Sequence, residues 1–498
     1  MRKLFYYLAL SGVIIFSSCE KELDQQPISE ASTGTFYVTQ LHFTQGLNAV
    51  YSSLRGYPDR QLNLSETRSD NLFAVSEGGV RDWEGINSFH KTISSNPYVE
   101  EAWSTNFNGI FKANDFLAQL SQRGPSVISN ESLRLRMEAE ARFLRAFFYF
   151  DLVRWFGKVP LINRVVTAKE ALEIPRSSVS DVYDFIISDL EFASQNLAPS
   201  YSGADKGRVT SYAAKGILAL VYMTRSGPTY DIEGPGLGLN EWDKALPLLN
   251  EIIAGPFSFL PDYNNIFAYD NEGNPEVIFD IQYSSGADPV VGATFPWVLV
   301  PDEWFHSLGK NTQGGLSIRP VSDDLLNSYE PNDIRKDFSI QQGYTIGGKT
   351  ELRSFFVKYV DISKVPLNRF DWPINFIALR LTDVLMLKAE CILHGAAGTQ
   401  SEVDGIVNQV RQRAGLGPLS NVTLEQLMEE RRKEFAAEGL RWHDLVRSGL
   451  VDTKIPAWIA AEDSQHQMQP FQKGYIVYPV PQSQLDVKPG LYNQNTGY

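Results

Sequence analysis

The sequence predicts a mostly α-helical protein: a tetratricopeptide-like scaffold of helical hairpins that carries a loop-rich insertion with a few short strands. Three observations predict it. Apolar residues recur at three- and four-residue intervals through six segments of the first half and three later ones. Small side chains (Ala139, Ala141, Ala146, Ala213, Ala214) share those segments with aromatic ones, as closely packed helix pairs require. Between Phe257 and Trp372 the periodicity stops, and Gly, Pro, Asn and Asp separate short β-branched and aromatic runs.

The elements follow in order. Arg2 and Lys3 precede an apolar run from Leu4 to Phe16, too short for the ~20 residues that cross a bilayer but right for a signal-peptide core. Ser17, Ser18 and Cys19 come next, resembling a bacterial lipobox with Phe16 in place of the usual Leu. The reading is a signal peptide over 1–18, lipidation of Cys19, and a polar tether over 19–35. The remaining cysteine, Cys391, falls in a helical apolar run and reads as a small buried hydrophobe.

Helices are predicted over Thr39–Leu54, Val99–Leu120, Glu131–Trp155, Val179–Leu197, Thr210–Thr224 and Glu241–Ile253, the last stopped by Gly255-Pro256. A long loop block, Ser65–Tyr98, interrupts the first two. Strand-like runs stand at Glu276–Tyr283 and Ser354–Val360. Helices return at Phe376–Leu393, Glu402–Arg413 and Thr423–Gly439, where Thr423 and Gln426 match a capping box. Tyr475–Pro481 is extended by its prolines. This divides the chain into an N-terminal helical domain, 36–256, and a C-terminal domain, 257–498, holding the loop-rich insertion 257–372 and the terminal helices.

Composition excludes several classes. The 498 residues carry 45 Lys and Arg against 59 Asp and Glu, a net charge of −14. That balance opposes binding to a phosphate backbone, so no nucleic-acid partner is expected. No HExxH, Gly-x-Ser-x-Gly or P-loop occurs, and the six histidines are scattered. No catalytic residue, metal ligand or cofactor is therefore assigned. Glu430 and Glu434 share a helix face, but Arg431, Arg432, Arg441 and Arg447 stand among them. Arginine neighbours favour ionised carboxylates, the opposite of what a glycosidase acid needs, so this run reads as a structural ion-pair network.

Several motifs carry a resemblance. Glu429-Glu430-Arg431-Arg432-Lys433-Glu434-Phe435 is followed by Glu438-Gly439-Leu440-Arg441-Trp442-His443-Asp444-Leu445-Val446-Arg447. Arg380 to Glu390, Val410 to Leu416, Ser328 to Arg335, Ala139 to Leu161, and Tyr478-Pro479-Val480-Pro481 through Gly497-Tyr498 complete a set in fixed order. Together they resemble the SusD/RagB family, the nutrient-binding outer-membrane lipoproteins of the Bacteroidetes. The resemblance implies a lipid-anchored protein on the outer face of the outer membrane. It implies a SusC-like TonB-dependent transporter as partner, an oligosaccharide as ligand, and no enzymatic activity. Peptide or amino-acid capture by the same architecture is the alternative.

An indole or phenol ring covers the apolar face of a sugar while amide and guanidinium groups bond its hydroxyl rim. Two loop regions, matching the family's ligand loops by region, offer that mixture. Arg81, Trp83 and Asn87 stand in the first; Tyr283, Trp297 and Trp304 stand in the second. These six are the expected ligand-binding residues, on exposed loop surface. Trp103, Trp155 and Trp442 lie on helices and read as core.

Overall fold

The computed structural model describes residues 36–75, 81–312 and 314–498. The signal peptide, Cys19 and the tether lie outside the described residues. Among the described residues no helix is long and apolar enough to cross a membrane.

The first half is a row of helices: α1 (Gln40–Tyr51), α2 (Tyr57–Arg60), α3 (Asp82–Asn87), α4 (Pro97–Val127), α5 (Glu131–Phe156), α6 (Ala168–Ala171), α7 (Val179–Asn196), α8 (Ser211–Ser226) and α9 (Trp242–Ile253). Polar side chains start the main ones. Asn96 accepts from the Tyr98 amide, Asn130 from Leu133, Ser178 from Asp181 and Thr210 from Ala213, each taking up an N–H that the helix itself cannot bond. Helix α4 runs past the expected stop at Leu120 to Val127, with Pro125 in its final turn, where the proline forgoes one i→i−4 hydrogen bond. Close packing depends on small residues: a Cβ on Gly109 of α4 would stand 2.5 Å from the Phe148 ring of α5. Ala139, Ala141, Ala146, Ala213 and Ala214 are fully buried.

The second half continues with β1 (Val277–Ile281), α10 (Phe295–Val298), α11 (Asp302–Ser307), α12 (Asp323–Ser328), α13 (Ile334–Ser339), β2 (Ile340–Ile346), β3 (Lys349–Phe356) and β4 (Phe376–Arg380). Then come α14 (Leu381–Leu393), α15 (Gln400–Arg413), α16 (Leu424–Glu434), α17 (Arg441–Ser448), α18 (Val451–Glu462) and α19 (Gln482–Val487). Neighbouring helices pack in the order α4, α5, α7, α8, α9, α14, α15, so the row continues across residue 256 and the loop-rich segment is inserted between α9 and α14. The fold is the expected one: mostly helical, with two small antiparallel sheets, β1–β4 and β2–β3.

Several elements differ from the sequence reading, among them the strand expected over Ser354–Val360, which lies instead at Lys349–Phe356. Phe376–Arg380 is a strand and not the start of a helix; its continuous apolar run suits either, and pairing with β1 (Phe279 opposite Leu379) decides it. Helix α16 ends at Glu434, five residues short of Gly439. Gly439 takes φ +74°, and its position against Gln61 leaves no room for a Cβ. The Ser65–Tyr98 block is not all loop, since a π-helical turn (Gln61–Glu66) runs into its start and α3 lies within it.

The charged signature run is buried. Glu434 accepts from Arg380 (2.9 Å), Arg413 (2.6 Å) and Arg335 (3.3 Å). Glu438 bonds Arg380 and Lys358, and Glu430 pairs with Arg335 and Arg411. Burial alone would raise the Glu434 carboxyl; the Arg413, Arg380 and Arg335 guanidiniums outweigh it and hold the group well below the usual carboxylate range. Arg441 and Arg432 reach Asp70, so the network also ties the segment after α2 to the terminal helices. Cys391 is fully buried, and burial raises its thiol far above the ordinary value.

Candidate functional site

The loop insertion folds back onto the segment around α2 and α3. The Asp59 carboxylate accepts from Thr294 Oγ1, which fixes the start of α10 against α2. The Tyr283 hydroxyl donates to the Arg55 carbonyl at 2.5 Å, and its ring meets Phe295 at 6.0 Å. The end of β1 and the start of α10 are thereby pinned to the α1–α2 corner.

Two indoles lie on this seam. Trp297 of α10 donates its N–H to Asp302 (2.9 Å). Arg369 lies over its face at 4.2 Å and Phe370 meets its edge at 6.0 Å. Trp83 of α3 is flanked by two guanidiniums, Arg319 at 4.4 Å and Arg81 at 5.8 Å. One backbone stretch joins the two. Leu316 N–H donates to Asp302 Oδ2 (2.6 Å), Ser317 accepts from Arg81 (2.8 Å), and Arg319 follows. Arg319 is held from below by Asn63 (2.8 Å) and by Thr67.

The six expected residues divide. Arg81 and Tyr283 are half-buried and stand at the seam's surface. Trp83 and Trp297 lie at the same seam, but their rings are 5% and 8% exposed, so the expectation of open aromatic platforms is corrected: guanidiniums occupy ring faces that were to meet ligand. Trp304 packs against Phe305 and Phe355 beneath β3, 5% exposed, away from the seam contacts. Asn87 is fully buried and spent on backbone, accepting from Ala74 N–H and donating to the Thr67 and Leu72 carbonyls. Trp is highly buried on average whereas Asn is mostly exposed, and an aperiodic loop carries no burial pattern in its sequence that would single out a buried Asn.

Other residues complete the seam. Phe370 is 43% exposed, and Leu367, in the same loop, is 93% exposed. Arg369 and Arg319 have no motif around them that sequence reasoning could have used. Immediately after Arg319, Pro320 and Val321 help to line a cleft of about 450 Å³ with Phe73, Leu326, Leu352 and Glu462. That volume lies within the ordinary range of ligand sites.

Several polar atoms here are buried without a partner: Asp59 Oδ1, Arg81 Nε, Trp83 Nε1, Arg319 Nε and Arg369 Nε. Burial pushes the Asp59 carboxyl up to about 7 despite its bond from Thr294. Burial and the Asp59 charge raise the Tyr283 phenol well above its usual value. The arrangement provides apolar ring edges, a half-buried phenol and unspent guanidinium donors, a set suited to grip a hydroxylated ligand. Among the described residues no His, Cys, Asp and Glu group is arranged to hold a metal ion.

Comparison with known proteins bears on both halves of the chain. Residues 355–498 match the model of the SusD family, and residues 23–223 match a SusD-like model described as starch-binding and associating with the outer membrane. A SusD-like protein of Bacteroides ovatus is 29% identical, the match covering 90% of this chain and 82% of that protein. Among solved structures, a laminarin-binding SusD-like protein superposes with a TM-score of 0.73 at 26% identity, over 92% of this chain and 100% of that one. Surface glycan-binding protein A from Bacteroides thetaiotaomicron, in complex with laminarihexaose, superposes with a TM-score of 0.77 at 23% identity over the same shares.

Proposed function

The chain belongs to the SusD/RagB family, and from that premise we propose that it is a glycan-binding lipoprotein of the cell surface, anchored in the outer membrane through Cys19. In this reading it captures an oligosaccharide and delivers it to a SusC-like TonB-dependent transporter. The observation that carries the binding step is the seam, where Trp83 with Arg81 and Trp297 with Arg369 are joined through Asp302, Leu316 and Ser317. The names of the laminarin-binding and starch-binding relatives support a glycan as the ligand class.

The physical action is recognition without turnover. Tyr283 and Phe370 offer ring surface to the C–H face of a sugar, while Arg81 and Arg369 donate to its oxygens. The paired carboxylates that a glycosidase requires at a fixed separation are absent from this reading: Glu430, Glu434 and Glu438 are bound to arginine and lysine inside the core. Ligand need not be held tightly, because it must be released to the transporter.

Calorimetric titration of the full chain in detergent with laminari-oligosaccharides, other glycans and peptides tests the proposal. Saturable binding of a glycan, without new reducing ends after incubation, is the expected result. Binding confined to peptides would overturn the glycan assignment, and glycan cleavage would overturn recognition without turnover.

A further inference from the structure

Resting on that reading, we propose that the ligand is an acidic oligosaccharide, whose carboxylate or sulfate groups are met by Arg81 and Arg369 while Arg319 adds positive field behind Trp83. The observation is an accounting of arginines. Elsewhere in the buried interior they are paired: Arg335, Arg380, Arg413, Arg431, Arg441 and Arg447 each have a carboxylate oxygen at 2.5–2.8 Å. Arg68 lacks one, but bonds the Tyr475 carbonyl and the Tyr498 hydroxyl inside the core. At the seam the pattern breaks. Arg81, Arg319 and Arg369 form no ion pair with any described carboxylate, and each keeps a buried Nε with no hydrogen-bond partner.

Nearby acids offset them only through their fields, none by an ion pair. Asp302 approaches Gly314 from the same side as Arg369 and offsets part of its charge, but the two form no ion pair, and the Asp302 oxygens accept instead from Trp297 Nε1, Thr312 Oγ1 and Leu316 N–H. Asp82 and Asp59 reach Arg319 by field alone, and Asp59 accepts from Thr294 and is held partly protonated near neutral pH by burial. In a chain of net charge −14, three unpaired guanidiniums on two indoles run against the average charge. A guanidinium without a carboxylate presents a planar fork of donors that matches carboxylate and sulfate oxygens two at a time. A neutral glucan would leave these guanidiniums without a directly bonded anion; a uronate or a sulfate ester would supply one. Arg81 and Arg369 are half-buried and can be reached from outside, whereas Arg319 is 1% exposed and acts through its field.

The test uses the full chain in detergent with three probes: laminarihexaose, oligogalacturonate and a sulfated galactan oligosaccharide. An acidic probe should bind at least tenfold tighter than laminarihexaose, with Kd weakening as salt rises. The doubly substituted Arg81→Gln, Arg369→Gln protein should lose at least tenfold for the acidic probe, and distinctly more than it loses for laminarihexaose. Uronate against sulfate preference identifies the anion. If laminarihexaose binds as well as or better than both acidic probes, the acidic-ligand inference falls while glycan capture stands. Acidic binding unchanged by the double substitution likewise removes these arginines from the proposal. If no probe and no other glycan binds while peptides do, the underlying glycan reading fails. Both substituted side chains lack ion partners, so folding should be retained, checked by an unchanged circular-dichroism spectrum.

Discussion

The Arg369 guanidinium carbon sits 4.2 Å from the centre of the Trp297 indole, and no described carboxylate pairs with it. The arginine covers the ring and also lies over the Phe370 ring at 4.7 Å. A half-buried cation–π contact of this kind contributes about 0.5–2 kcal/mol. Arg369→Ala should therefore cost no more than about 2 kcal/mol in urea denaturation. It should also expose the indole. Acrylamide quenching of the Trp297 emission, isolated by subtracting a Trp297→Phe protein, should rise in the variant. Unchanged quenching would mean that Phe370 and the neighbouring backbone, and not Arg369, shield the ring.

Glu434 is the node of the buried network, since three guanidiniums converge on one carboxylate. Removing one partner of a buried pair leaves uncompensated charge and costs roughly 3–5 kcal/mol. Glu434→Gln keeps the shape and removes the charge, so Arg335, Arg380 and Arg413 lose their shared counter-ion. A fall in the urea midpoint corresponding to about that cost is expected. A loss under about 1 kcal/mol would show that Glu430, Glu438 and Glu276 suffice to neutralise the cluster.

Asp59 couples the site to pH. Its carboxyl, ordinarily near 3.8, is pushed up to about 7 by burial. The folded protein thus holds this proton more firmly than the unfolded chain does. Its contribution to stability is fully present below about pH 4 and is lost as pH rises towards 7, with no further change above. Asp59→Asn removes the titration. The difference in unfolding free energy between wild type and variant should shift against the wild type between pH 4.5 and pH 7.5, a window set by those two values. A difference independent of pH would show that Asp59 is ionised throughout, stabilised by Arg60, Arg319 and Thr294.

How much of this was legible in the sequence depended on periodicity. The helices of the scaffold bury one face in a three- and four-residue rhythm, and Val99, Trp103, Ile110 and Phe116 of α4 are buried where that rhythm puts them. The signature acids were also readable, because arginines between them announce pairing. Phe376–Arg380 was not, since its partner strand lies about a hundred residues earlier and only that pairing separates strand from helix. The seam was half legible. Arg81, Trp83, Tyr283 and Trp297 could be named from their chemistry. Their burial, and the covering of Trp297 by Arg369, depend on how two distant loops fold against each other. No local pattern encodes that.

Asn87 shows how stability and binding can be told apart at this site. All of its bonds go to backbone: it accepts from Ala74 N–H at 2.8 Å and donates to the Thr67 carbonyl at 2.7 Å and the Leu72 carbonyl at 2.8 Å. It staples the end of α3 to the stretch 67–74 that precedes the helix and so helps to set where Arg81 and Trp83 stand. Asn87→Ala would strand those three groups in the interior, each costing about 1–3 kcal/mol if left unbonded. The variant should lose several kcal/mol in urea denaturation, by about that arithmetic with partial relaxation. Its affinity per folded molecule should change little at low temperature, because the amide has no donor left for a ligand. A large loss of affinity at wild-type stability would instead make Asn87 a contact residue, and would require the loop to rearrange when ligand binds.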